Sequence, residues 1–97
     1  MKTFILLIKF TAQGTTSIKQ SPARSEAFTK HLKSVGIKVK GLYWTFGRYD
    51  GVLIFDAPDE EAGHAAILAL AHAGNVQTQT LRAYDRSGIE SLLANLT

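Results

Sequence analysis

Residues Thr3 to Thr11 put apolar side chains on both faces of an extended segment: Phe4, Leu6, Ile8 and Phe10 in one phase, Ile5 and Leu7 in the other. A strand of that kind needs cover above and below, so it belongs inside a sheet rather than at its rim. Val52 to Phe55 is as continuously apolar. Two further strand-like stretches are not. Ile37 to Phe46 opens with Lys38 and Lys40, and Asn75 to Tyr84 alternates Val76, Thr78 and Thr80 against Gln77, Gln79 and Leu81, which suits an edge or an oligomer contact.

Helical spacing fills the gaps between these strands. After Ala12 to Gln20, whose Gly14 and Ser/Thr content suit a turn, Ser21 can cap a helix with Pro22 at its first position and Gly36 as its stop. Phe28, Leu32 and Val35 mark its inner side, with Ala27 and His31 beside them, while Arg24, Glu26, Lys30 and Lys33 point mostly outward. Pro58 and Asp59 open a second helix that carries Glu60 and Glu61 in its first turn and runs through alanines and leucines to Gly74. Ser87-Gly-Ile-Glu90 spells a capping box for a last helix with Ile89, Leu92, Leu93 and Leu96 at helical spacing. That helix has an apolar side that must dock somewhere.

Ile37–Phe46 and Tyr49–Ala57 are separated by Gly47 and Arg48, a two-residue hairpin connection with glycine supplying positive φ. The apolar phase slips at Gly41, between Val39 and Leu42, Trp44 and Phe46, and a bulge there reconciles the two phases. The full order, strand, helix, strand, strand, helix, strand and terminal helix, predicts an α+β ferredoxin-like βαββαβ sandwich. Its four-stranded antiparallel sheet takes the order 4-1-3-2 with an added C-terminal helix, as one domain over residues 1–97. The first and third strands are central in that topology, and they are the two most apolar ones.

Composition narrows the function. The 97 residues contain no cysteine, which removes disulfides, thiolate nucleophiles and cysteine metal sites together. Net charge is +3, short of the density of a nucleic-acid binder. The opening apolar run ends at Lys9 and is too short for a membrane span or the usual export pattern, so the expected location is cytoplasmic, without membrane contact.

Several residues carry candidate chemistry. Tyr43, Trp44 and Phe46 form the densest aromatic stretch and suit a flat apolar ligand, although burial is the commoner use of such side chains. Arg48, Tyr49 and Asp50 could orient or polarise a polar ligand; the plainer role of Asp50 is to bond turn amides, and adjacent strand positions send Tyr49 and Asp50 to opposite faces. His31 is alone on its helix, and His64 and His72 lie roughly 12 Å apart along theirs at 1.5 Å per residue, too far for one ion. No metal site and no cofactor are expected, although His31 or His64 could serve as a lone base or haem ligand. No serine sits in a nucleophile elbow and no glycine-rich phosphate loop is present. Lys38, Lys40 and Arg48 near Tyr43 and Trp44 could imitate an RNA-stacking sheet, yet the first and third strands lack the aromatic signature, so no nucleic acid is expected.

The stretch Val39 to Ile54, VKGLYWTFGRYDGVLI, followed by Ala57-Pro-Asp and by Gly74-Asn-Val-Gln-Thr-Gln-Thr-Leu-Arg-Ala, resembles the GYD-domain family. Its Gly, Tyr, Asp signature stands here as Gly47, Tyr49 and Asp50, with Arg48 between the first two. The resemblance covers nearly the whole chain and implies a fold near the dimeric α/β-barrel proteins, but no established activity. That wider group includes cofactor-independent monooxygenases, lactone isomerases and haem proteins. Helices on one face of a sheet leave the other face, with Ile5 and Leu7 or Val52 and Ile54, in water unless a copy of the chain covers it or the tail helix or a long loop closes it.

The leading expectation is therefore a small homo-oligomer, a dimer or larger, that binds a modest organic or anionic molecule in a cleft between the sheet and a partner subunit. Tyr43, Trp44, Arg48, Tyr49, Asp50 and His31 are the candidate contacts. The alternatives are a structural or regulatory assembly module whose hairpin makes a protein interface, and a monooxygenase- or isomerase-like enzyme that needs no cofactor.

Overall fold

The computed structural model describes residues 1–96. Strands β1 (Lys2–Phe10), β2 (Lys38–Trp44), β3 (Gly51–Ala57) and β4 (Val76–Ala83) form one antiparallel sheet in the order β2-β3-β1-β4. Helices α1 (Ala12–Thr16), α2 (Ser21–Ser34), α3 (Glu60–His72) and α4 (Arg86–Ala94) complete it, with a 3-10 turn at Ile18–Gln20. The expected α+β ferredoxin-like topology is what forms, with β1 and β3 central. Phe4, Leu6, Leu53 and Phe55 send their side chains toward α2 and α3 and make the core with Leu32, Ile37 and Ala66. Among the described residues no helix is long and apolar enough to cross a membrane.

The slip in apolar phase is a register shift between Val39 and Gly41, where expected. Lys40 is the extra residue, and its ammonium reaches the Asp56 carboxylate at 3.7 Å. At Gly41 the Tyr43 ring lies close by, 3.0 Å from where a Cβ would stand, so a larger residue there would have to displace that exposed ring.

Four local expectations are corrected. The stretch Ala12–Gln20 is helical rather than a turn: the Thr11 side chain accepts from the Gly14 amide and donates to the Gly74 carbonyl at 2.7 Å, capping α1 and tying it to β4's approach. Gly14 serves close packing, since a Cβ there would sit 2.0 Å from the Asn75 carbonyl oxygen. Ser21 does not cap α2. The 3-10 turn feeds straight into the helix, leaving Ser21 helical at φ −59°, ψ −36°, so its hydroxyl is free to bond elsewhere.

The connection between β2 and β3 is a six-residue loop, 45–50, instead of a two-residue turn, and it contains both Tyr49 and Asp50. The Asp50 side chain explains this: Oδ2 accepts from the Phe10 amide at 2.8 Å, beyond the last β1–β3 backbone pair, while the Asp50 amide donates to the Ile8 carbonyl. Gly47 does take positive φ, +126°. Finally, α4 begins at Arg86 because Asp85, upstream of Ser87, accepts from the Gly88 amide at 2.8 Å and takes the capping role.

No residue of α4 is buried, and Ile89, Leu92, Leu93 and Leu96 remain exposed. The helix stands off the body, and with it the chain extends 51 × 31 × 19 Å. The radius of gyration is 14.5 Å, against about 12.5 Å for a compact chain of this length.

Asp59 caps α3, accepting from the Ala62 amide at 2.8 Å. Arg82 ties that helix end to β4: its Nε donates to Glu60 Oε1 at 2.8 Å while the guanidinium lies over the Phe4 and Tyr84 rings. The hydrogen bond from Arg82 holds the Glu60 carboxyl below its ordinary value. A folded value below the unfolded one stabilises above the unfolded value and loses that effect as pH falls through the folded value. Glu60→Gln is therefore expected to be less stable than the parent near neutrality, with the gap closing below the ordinary glutamate range. Urea midpoints at about pH 7 and about pH 3 read this directly.

Candidate functional site

At one end of the sheet, where β1 and β2 finish and β3 and β4 begin, α2 and α3 do not close on the strands. They leave a cavity of about 420 Å³. Its origin is sequence-local. Gly63, near the start of α3, lets the helix lie directly on Phe4, whereas toward the other end the short side chains of Ala69 and Ala73 border the cavity beside Leu70. Ile8, Leu42, Leu53, Phe28 and Leu70 make its apolar walls.

The cavity lies within one chain, on the helix-covered side, and not on the bare sheet face where a shared cleft was expected. Trp44 borders it, and its indole Nε1 donates to the Ser21 hydroxyl at 3.1 Å across the gap between β2 and α2. Ser21 is 6% exposed, a buried polar group satisfied by that bond. Tyr43 borders the cavity too, although its ring lies over Gly41 on the helix-free side. Asp50 reaches the rim, with Lys9 Nζ 4.0 Å from the carboxylate that accepts the Phe10 amide.

Arg48, Tyr49 and His31 do not line this space. The Tyr49 hydroxyl donates to Gln79 Oε1 at 2.6 Å, on the helix-free side, so the tyrosine and Asp50 face different parts of the molecule. His31 is exposed on α2, and Arg48 is exposed with its guanidinium 5.9 Å from the Tyr49 ring centre. Among the described residues no group of His, Asp and Glu gathers closely enough to hold a metal ion.

Ser21 and Arg24 border the cavity although they read as a cap and an outward charge. The signal was present: positions 21, 24, 25 and 28 share one face of a helix, and Phe28 marks that face as inward.

Two other surfaces stand out. The helix-free face carries Ile5, Leu7, Val52, Ile54 and Leu81 in register across three strands, framed by the Lys40–Asp56 pair and Gln79. The loop 45–50 holds Phe46 with its side chain wholly in solvent, next to Gly47. That loop is braced: the Thr45 amide donates to the Asp50 carbonyl at 2.9 Å and the Thr45 hydroxyl to the Tyr49 carbonyl at 2.7 Å.

Residues 4–93 match the model of the GYD domain. Over 84 residues the chain is 34% identical to the "Glutamine synthetase and cystathionine beta-lyase binding protein" of Thermus thermophilus, covering 86% of this chain and 88% of that one.

Proposed function

The chain belongs to the GYD domain family, and from that premise we propose that it works as a protein-binding module, self-associating through its helix-free sheet face and presenting the loop 45–50 to a partner enzyme. The observation that carries this reading is a relative of nearly equal length that is itself named for binding two enzymes. The matched region takes in 88% of that relative, so the binding surface is sought within the matched region. The solvent-exposed Phe46 on a braced loop, with Arg48 beside it, fits an apolar socket rimmed by acidic side chains on the partner.

Self-association draws its support from the apolar stripe of Ile5, Leu7, Val52, Ile54 and Leu81. A contiguous patch of that kind is rarely left in water, and a two-fold copy brings an identical patch to cover it. The apolar side of α4 follows directly from the β4 edge and is available to extend the same contact. Tyr49 and Asp50, aimed at different sides, lend no support to a monooxygenase- or isomerase-like mechanism.

Two measurements test the proposal. In sedimentation velocity the parent is expected to run at twice the 10.6 kDa chain mass or more, and Ile54→Lys, which sets a charge in the middle of the stripe, at the monomer mass. A parent that stays monomeric at micromolar concentration rules out the copy-covered face. Titration into purified glutamine synthetase or cystathionine β-lyase from the same cell is expected to show saturable binding to at least one of them. Indifference to both removes the enzyme-partner reading.

A further inference from the structure

The protein-binding proposal makes no use of the cavity between α2, α3 and the covered face of the sheet. We infer that it is a binding site for a small amphiphilic anion, a compact apolar body ending in a carboxylate or similar acidic group whose charged end meets the Arg24 guanidinium. Its volume of about 420 Å³ falls in the range of small-molecule sites. Hydrocarbon and aromatic side chains dominate the lining, so an apolar body replaces poorly bonded water there.

Charge selects the other end of the ligand. Arg24 is the one cationic side chain bordering the cavity among the described residues, and it is partly buried. Its Nη1 donates to the Ser17 carbonyl at 2.8 Å and to the Ser17 hydroxyl at 3.0 Å, which fixes the guanidinium in place. No carboxylate among the described residues lies within ion-pair distance of it. The remaining donors of the fork are thus available to an acidic group brought by the ligand. Asp50, the carboxylate at the rim, is already engaged by the Phe10 amide and faced by Lys9, so it does not compete for Arg24.

The chain supplies its own reporter. Trp44 is its single tryptophan, borders the cavity and bonds Ser21 on the same α2 face as Arg24. Titrating the full chain with decanoate is expected to give a saturable change in Trp44 emission. Decanol, which keeps the chain and drops the charge, and Arg24→Gln are each expected to weaken half-saturation about 10- to 100-fold.

Ala27 and Ala69, one on each helix, border the cavity and are exposed, so they mark its mouth. Ala27→Phe or Ala69→Phe is expected to abolish the saturable change while the thermal midpoint stays within a few degrees of the parent. The absence of a saturable response to decanoate overturns the site. Equal binding of decanol, or undiminished binding in Arg24→Gln, overturns the assignment to anions. Unchanged binding in both mouth variants puts the probe elsewhere, α4 included, and overturns the cavity as its location.

Discussion

Gly63→Ala is expected to lower the stability of this domain by about 2 kcal/mol, and the thermal midpoint by roughly 8–16 °C, although alanine is the better helix former. A Cβ at position 63 would stand 2.4, 2.6 and 3.0 Å from three atoms of the Phe4 ring. That ring has nowhere to go. It stacks on Phe55 at 5.3 Å between centres, meets His64 edge-on at 5.8 Å, and carries the Arg82 guanidinium at 5.6 Å. Relief must come from α3 lifting off β1, which strains the Arg82–Glu60 tie as well.

Overpacking of this kind typically costs about 1–3 kcal/mol or somewhat more, and the gain of up to about 1 kcal/mol in helix propensity offsets only part of it. Combining Gly63→Ala with Phe4→Leu separates the clash from everything else. If the ring is the obstacle, the double variant loses less than the sum of the two single losses. Chemical denaturation of the four proteins decides the point. A Gly63→Ala chain as stable as the parent would mean that α3 does not lie against Phe4, and the account of how the cavity opens at the far end of the helix would go with it.

What was legible in the sequence follows from how far apart the deciding residues lie. The central strands declared themselves because both of their faces are apolar, a property of consecutive residues, and the bulge at Gly41 because the phase slips within one strand. The loop 45–50 was misjudged because its length is set by Asp50 reaching the Phe10 amide, forty positions earlier. Ser21 was misassigned for the same kind of reason: its hydroxyl answers to Trp44, twenty-three positions on.

Among the candidate residues, Trp44 and Asp50 border the cavity, Tyr43 borders it with its ring turned to the helix-free side, and Arg48, Tyr49 and His31 do not line it. The side of the sheet on which each group stands was not legible in the sequence, because that depends on the bulge and on where β3 actually begins.

The largest functional effect is expected at Phe46. Under the proposed binding role, replacing it with alanine should weaken capture of the partner enzyme about 30-fold or more, the loss typical of removing a central aromatic from a protein interface. The same change should leave the urea midpoint within error of the parent, since a side chain that lies wholly in solvent gives up no internal contact when it is shortened. Two features make the position efficient. The loop is already held by the Thr45 and Asp50 hydrogen bonds, so binding orders little new backbone, and a phenylalanine has few rotatable bonds to freeze. Arg48→Glu should act differently, slowing association and reversing its dependence on salt more than it speeds release, because an exposed charge near the contact steers the encounter. Surface plasmon resonance at two ionic strengths separates these signatures. If Phe46→Ala binds the enzyme as tightly as the parent does, the loop is not the contact, and the proposal that it presents itself to a partner fails.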